Sequence, residues 1–269
     1  MNNTIVITPL DLITASILIL SLAGLTAPMS FGLSRSMLIA AARTTLQLLL
    51  IGLVLKALFA HADLWWVAGI ALVMLLVAGG EIMARQTRWF TGLWGYGLGA
   101  VSTFISSFTV TLLALTVVIG PQPWYAPRYA IPLLGMIMGN TMTGVAVGLD
   151  NLTNLAWRQR AVIEARLMLG HDWRAAIADI HRESVHRGLI PIINAMATAG
   201  IVSLPGMMTG QILAGNPPVE AVKYQILIMF LVASGTGFGI LGALALGARR
   251  LFDERQRLRL DRLRPPAHG

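Results

Sequence analysis

Runs of about 20 apolar residues recur along this chain, and they set the strongest limit on how it can fold. The run from Leu64 to Ala84, for example, holds a single charged residue, Glu81. Inside a bilayer every backbone N–H and C=O group must be hydrogen-bonded within the segment, which makes the α-helix the structure for such a run. The sequence therefore predicts an all-α integral membrane protein.

The charge content supports the same class. Only 12% of the 269 residues are charged, whereas a soluble domain carries about 25%. The formal net charge of +8 is typical of nucleic-acid binders, but in a membrane protein basic residues mark the cytoplasmic loops. We therefore expect the lipid bilayer, and no nucleic acid, as a partner. The chain has no cysteine, which excludes disulfides, thiolate metal sites and cysteine nucleophiles.

About seven segments are long and apolar enough to be transmembrane helices. They cover about Leu10–Phe31, Met37–Phe59, Leu64–Ala84, Gly92–Ile119, Tyr129–Leu149, Leu189–Leu204 and Ala221–Ala248. Basic residues concentrate in every second loop and in the C-terminal tail. The positive-inside rule then predicts that the N-terminus lies outside and the C-terminus in the cytoplasm. An odd number of spans requires the same arrangement.

One long polar interval, residues 151–187, interrupts the apolar pattern and holds six arginines. Its apolar residues have helical spacing, Gly170 suits a helix stop, and Asp172 suits the N-cap of a second helix that begins at Trp173. We predict an ordered cytoplasmic helix-turn-helix at which a separate motor protein docks. This segment lies within a permease domain of residues 1–252, and residues 253–269 are predicted to form a basic cytoplasmic tail that begins as a charged helix.

Polar groups inside the spans are candidates for a translocation pathway. An unpaired charge there costs roughly 2.5–3.5 kcal/mol on insertion scales, so we predict that Glu81 pairs with Arg43, as a structural clamp or as part of a substrate site. Pathway candidates, which could equally be interhelical contacts, are Glu81, Asn140, Met142, Met207 and Gln211. Methionine thioethers favour Cu(I), but methionine is more often adaptable packing, and the metal ligands stay unknown.

Glycines four residues apart occur twice, as Gly135/Gly139 and Gly206/Gly210. Such pairs let helices approach closely, either within the chain or at a dimer seam. The chain has no G-x-x-x-x-G-K-[ST] phosphate-binding motif and no recognisable catalytic motif. We therefore expect no enzyme activity and no cofactor bound by this chain. Energy for transport would come from a partner or from an ion gradient.

Three stretches carry a family resemblance: Ile131–Gly144, Ile163–Gly170 and Leu204–Ile226. Glu164 to Gly170 resembles the E-A-A-x-x-x-G coupling segment of ABC-transporter permeases, with Arg166 where alanine is usual. Together the stretches resemble the Fet-type iron-export ABC permeases, a family that includes plant aluminium-tolerance permeases. The resemblance runs from the second predicted span to the seventh.

The resemblance implies a multi-pass permease of the bacterial inner membrane. It would pair with a second copy of itself and with separate ABC subunits that bind ATP and Mg²⁺. It implies export of iron or another metal ion or complex, with coupling by Glu164, Ala165, Leu167, Leu169 and Gly170. The alternatives are a secondary transporter or channel, an ABC permease for a non-metal substrate such as a nucleotide-sugar, and a membrane-embedded enzyme or assembly factor.

Overall fold

The computed structural model of the chain describes residues 8–27, 33–60 and 63–264. Nine α-helices occupy these residues, and no β-strand occurs among them: α1 Pro9–Thr26, α2 Leu33–Ala60, α3 Leu64–Ala84, α4 Leu93–Leu113, α5 Pro127–Arg158, α6 Arg160–Met168, α7 Trp173–Thr198, α8 Gly206–Leu213 and α9 Pro218–Arg250. A π-helical stretch, Ala114–Ile119, continues α4. The prediction of an all-α membrane protein is confirmed.

The helices form two compact units, Met1–Asp63 with Leu213–Gly215, and Leu64–Ile212 with Asn216–Gly269. In the first unit α1 packs against α2. Thr8 caps α1: its hydroxyl accepts from the Asp11 backbone N–H, and the Asp11 carboxylate accepts from the Thr8 N–H. This reciprocal pair satisfies two N–H groups that a helix start leaves without partners.

Five of the described helical segments are long and apolar enough to cross a membrane. They are Ser34–Lys56, Leu64–Ala84, Leu93–Ile119, Pro127–Arg158 and Pro218–Arg250. The first predicted span corresponds to the shorter apolar helix α1, and its predicted end at Pro28–Phe31 lies outside the described residues. The sixth predicted span does not form a helix of its own. Its residues to Thr198 are the second half of α7, and the chain leaves the helix before Pro205.

Helix α5 is the centre of the second unit and packs against α3, α4, α7 and α9. Close approaches occur where glycines of α9 face hydroxyl side chains of α4 and α5. A Cβ atom at Gly239 would lie 2.3 Å from Thr141 Cγ2 and 2.8 Å from Ser106 Oγ. Ser106 and Thr141 are buried, so the missing side chain at Gly239 is what allows the three helices to meet.

The glycine pairs singled out in the sequence contribute little to such packing. A Cβ at Gly139, Gly206 or Gly210 would meet nothing within 4 Å among the described residues, and one at Gly135 would touch only Met74 Cε, at 3.3 Å. Close packing among the described residues therefore does not account for these two pairs.

Candidate coupling site and polar cleft

Helix α5 is long enough to extend from the apolar part of the chain into the polar interval that begins at Asn151. At 1.5 Å per residue its 32 residues span about 48 Å, while the hydrocarbon core of a bilayer is about 30 Å thick. The helix is therefore longer than the core is thick, and its polar residues lie in the last turns, from Asp150 to Arg158. Helix α6 follows directly after Gln159.

A tightly hydrogen-bonded turn joins α6 to α7. Gly170 has φ +91°, a left-handed conformation that glycine adopts without steric cost. Its N–H donates to Leu167 O at 3.0 Å, and the His171 N–H donates to Arg166 O at 3.2 Å, which is the bonding pattern of a Schellman helix end. The Asp172 carboxylate then accepts from the Ala175 N–H at 2.8 Å and caps α7. The predicted helix-glycine-helix is thus present, with Gly170 and Asp172 in the expected places.

Helix α6 is anchored on the core of the second unit and on α7. Ile163 is buried in the core of the second unit, and Leu167 packs partly against the same core. Arg166 fastens α6 to α7, since its guanidinium donates to Asp179 Oδ2 at 2.8 Å and to Ala176 O at 3.2 Å. The arginine that departs from the usual coupling pattern therefore supports the turn.

The apolar tip of this structure, Met168 and Leu169, is exposed. The two side chains are 83% and 80% accessible, and Glu164 and Ala165 on the same helix are also exposed. Adjacent exposed apolar groups on a polar, ordered segment are a candidate surface for a partner. Leu169 is one of the predicted coupling residues, and Met168 lies within the predicted docking run from Leu167 to Gly170. The burial of Ile163 explains why these two side chains point away from the core.

The C-terminal segment packs behind this tip instead of forming the predicted charged helix. Gln256 Oε1 accepts from the Trp173 N–H at 3.0 Å, and the Trp173 and Phe252 rings lie 5.7 Å apart. Farther on, the Thr91 N–H donates to Arg262 O at 2.8 Å and the Arg264 N–H to Trp89 O at 2.9 Å. The segment 252–264 therefore ties the start of α7 to the loop between α3 and α4.

Asp253 explains why this segment turns. Its carboxylate accepts from the backbone N–H groups of Arg255 and Arg257 and from the Arg257 side chain. The hydrogen bond from the Arg257 backbone N–H is the largest cause that holds the pKa of Asp253 below its ordinary value. A lowered pKa means that the ionised carboxylate stabilises the turn at neutral pH and loses this effect as the pH falls through the folded-state pKa.

A chain of polar contacts links α3 to α5. Arg85 Nη2 lies 3.7 Å from Glu81 Oε2, and Arg85 Nη1 donates to Thr143 Oγ1 at 3.4 Å. Asn140, three residues before Thr143, lies on an exposed part of α5, and its side-chain amide donates to Met136 O. Glu81, Arg85 and Thr143 thus form one polar line, and Asn140 lies about one helical turn from Thr143 on α5.

This polar line opens into a cleft of about 360 Å³ at the polar end of α5. Three arginines and three carboxylate or amide side chains line it: Arg85, Arg158, Arg187, Asp150, Asn151 and Asn154. Asp150 accepts from the Thr87 N–H at 2.6 Å, and the Asn151 amide donates to Ser184 Oγ at 3.1 Å. The cleft is thus built from α3, α5 and α7, and sequence reasoning had assigned it no role.

The other predicted residues lie elsewhere. Met142 is partly buried and packs against the core. Met207 and Gln211 lie half-buried on α8, which does not pack extensively on the helices of Glu81 and Asn140. Arg43 and Glu81 belong to different units, so their pairing stays a prediction. Within residues 8–27, 33–60 and 63–264, no three His, Asp or Glu side chains cluster closely enough to hold a metal ion.

Comparison with known proteins decides the family. The model of UPF0014, described as an uncharacterised protein family, matches residues 9–252. The chain belongs to UPF0014. No solved structure matches it.

Three relatives show the range of this family. The UPF0014 membrane protein slr1647 of Synechocystis is 37% identical over 93% of this chain and 93% of its own. The probable iron export permease protein FetB of Escherichia coli is 32% identical over 86% of this chain and 87% of its own. ALUMINUM SENSITIVE 3 of Arabidopsis thaliana is 33% identical over 74% of this chain and 71% of its own. The resemblance to iron-export and plant aluminium-tolerance permeases is therefore confirmed, and the UPF0014 chain is a multi-pass membrane protein.

Proposed function

We propose that this UPF0014 protein is the membrane-spanning half of an ATP-driven ABC exporter of the bacterial inner membrane. Two copies would pair with two copies of a separate subunit that binds ATP and Mg²⁺. The observation that carries the proposal is the exposed Met168–Leu169 tip on the rigid α6–Gly170–α7 turn. An apolar tip of this kind would insert into a cleft on the ATPase subunit. Because the α6–α7 turn is rigid, a movement of that subunit would be transmitted to α5, α7 and α9.

The contacts between helices indicate how this movement would spread through the protein. Helix α6 leads directly from α5, and α7 packs against both α5 and α9. Buried contacts of Ile163, Ile177 and Ile180 join the turn to the same core that holds α5 and α9. Because a close-packed core moves in discrete rearrangements, closure of the partner subunits would switch these helices between inward-facing and outward-facing states.

We propose that the cargo passes along the polar line from the cleft through Arg85 and Glu81 to Asn140. Iron, as an ion or a complex, is the first candidate, since the FetB relative carries the printed name of an iron export permease. Glu81 and Glu183 pair with Arg85 and Arg187, and Asp150 also lines the cleft, so its three arginines are matched by acidic groups. The second candidate is an organic substrate such as a nucleotide-sugar, whose phosphates Arg158 would bind.

Reconstitution tests the proposal. We expect the chain to co-purify with an ATPase that carries a phosphate-binding loop. Liposomes holding both proteins should move cargo only when ATP and Mg²⁺ are present. Ferrous iron, ferric citrate and a nucleotide-sugar, added one at a time, should differ in how strongly they stimulate ATP hydrolysis. Transport by the purified chain without any ATPase would contradict the proposal and favour a secondary transporter or channel.

A further inference from the structure

A groove of about 760 Å³ runs between the first turns of α7 and the last turns of α9. Its floor is apolar and its rim is basic. The floor is formed by Ile177, Ala178, Val185, Leu241, Ala245, Leu246 and Ala248, and the rim by Arg174, Arg182 and Arg249. This groove is separate from the polar cleft and from the coupling tip, and neither role needs it.

The positive charge of the rim is not neutralised within the described residues. No carboxylate lines the groove, and none of the three rim arginines forms an ion pair in residues 63–264. The nearby acids of α7 are engaged elsewhere, Asp179 with Arg166 and Glu183 with Arg187. Burial lowers the pKa of His181, which also lines the groove, so its ring is neutral near pH 7 and the charge comes from the arginines.

The groove changes from polar to apolar along α9. Arg249 lies at the basic end of the helix, whereas Leu241 lies eight residues earlier, about 12 Å along the axis. Beyond Leu241 the exposed apolar face continues to Phe238, which is 63% accessible. A positive-inside orientation places Arg249 at the cytoplasmic surface of the bilayer and Phe238 among the acyl chains.

We propose that this groove binds an anionic glycerophospholipid of the cytoplasmic leaflet. Its phosphate would lie between Arg174, Arg182 and Arg249, and one acyl chain would lie along the floor toward Leu241. Basic pockets between helices on the cytoplasmic side suit anionic head groups, and arginine matches phosphate oxygens with paired N–H donors.

Charge also argues against a second copy of the chain in this groove. With the groove on the two-fold axis of a symmetric dimer, the same patch of both subunits would meet, and six rim arginines would lie close together. A lipid phosphate supplies the opposite charge that the rim lacks, and the lipid has the same gradient from polar to apolar as the groove.

Thermal unfolding of the purified full-length chain in a neutral detergent tests the proposal. Phosphatidylglycerol should raise the Tm, whereas phosphatidylcholine with the same acyl chains should not. Glycerophosphoglycerol and inorganic phosphate, which lack the acyl chains, should fail to replace it. An equal response to both lipids, or an equal effect of free phosphate, would overturn the proposal.

A matched pair of variants locates the site. An arginine near an anionic lipid surface contributes roughly a fivefold change in affinity, so Arg182→Gln with Arg249→Gln should weaken phosphatidylglycerol binding about 25-fold. The exposed tail residue Arg255, which does not line the groove, supplies the control variant Arg255→Gln, with unchanged lipid binding. A double variant that keeps full lipid affinity would exclude the groove. If the double variant lost self-association but bound phosphatidylglycerol as before, the groove would be a contact with a second copy of the chain and not a lipid site.

Discussion

Replacing both Met168 and Leu169 with glutamate is expected to weaken binding of the ATPase subunit by about 100-fold or more, and to abolish ATP-dependent transport. Each buried apolar side chain of this size contributes about 1.5–3 kcal/mol, and two such losses together correspond to at least a 100-fold change in affinity. The chain itself should fold normally, since both side chains are exposed in it. Co-purification and transport assays measure the two effects.

The opposite end of α7 offers a matched control. Ile201 and Val202 are also adjacent, apolar and exposed, at 89% and 80%, but they follow the far end of the helix. Serines at these two positions, which add no charge to the predicted sixth span, should leave ATPase binding unchanged. If the variant at Met168 and Leu169 still co-purified with the ATPase at wild-type levels, the tip would not be the docking site.

Gly170→Pro tests whether the turn geometry matters as well as the tip. Proline lacks the N–H that Gly170 donates to Leu167 O and cannot adopt φ +91°. We expect loss of ATPase binding with Met168 and Leu169 intact. Glu164→Lys, which changes only an exposed charge, should weaken binding less.

The second large effect is expected from Gly239→Ala, which should destabilise the helix bundle. The new Cβ would lie 2.3 Å from Thr141 Cγ2 and 2.8 Å from Ser106 Oγ, so helices α4, α5 and α9 must separate. Overpacking of this kind costs typically about 1–3 kcal/mol, which lowers the Tm of a protein of this size by several degrees. Thermal unfolding in detergent measures the shift.

Gly242→Ala is the control on the same helix. A Cβ there would lie 3.9 Å from Ser102 Oγ, an ordinary contact, so we expect its Tm to remain within about a degree of the wild type. Adding Thr141→Ser to Gly239→Ala removes the closest methyl group and should restore part of the lost stability. Equal Tm values for the two alanine variants would show that the close approach at Gly239 does not limit packing.

Local chemistry was enough to predict several elements. The apolar run Leu64–Ala84 coincides with α3, and Gly170 and Asp172 end one helix and begin the next, as their backbone preferences require. Composition predicted the helix ends less well where a helix continues into a polar stretch of sequence. The predicted fifth span ended at Leu149 and a separate helical interval followed from Asn151, yet α5 runs without a break to Arg158.

Long-range contacts account for the remaining differences. The predicted tail helix was wrong because Gln256 and Leu263 pair with Trp173 and Phe90, which are distant along the chain. The polar cleft brings together Asp150 of α5, Arg187 of α7 and Arg85 from the turn after α3, and their sequence spacing does not predict that they meet. Likewise, α7 runs unbroken from Trp173 through Pro191, since its packing against α5 and α9 outweighs the proline.

Thiol labelling tests the central claim, that the α6–α7 turn faces the cytoplasm as the docking site of an ATPase. Because the sequence has no cysteine, Met168→Cys introduces a single thiol. A membrane-impermeant maleimide should label it in inside-out vesicles but not in intact spheroplasts, and bound ATPase should protect it. Labelling in intact spheroplasts, or labelling that the ATPase leaves unchanged, would contradict the account.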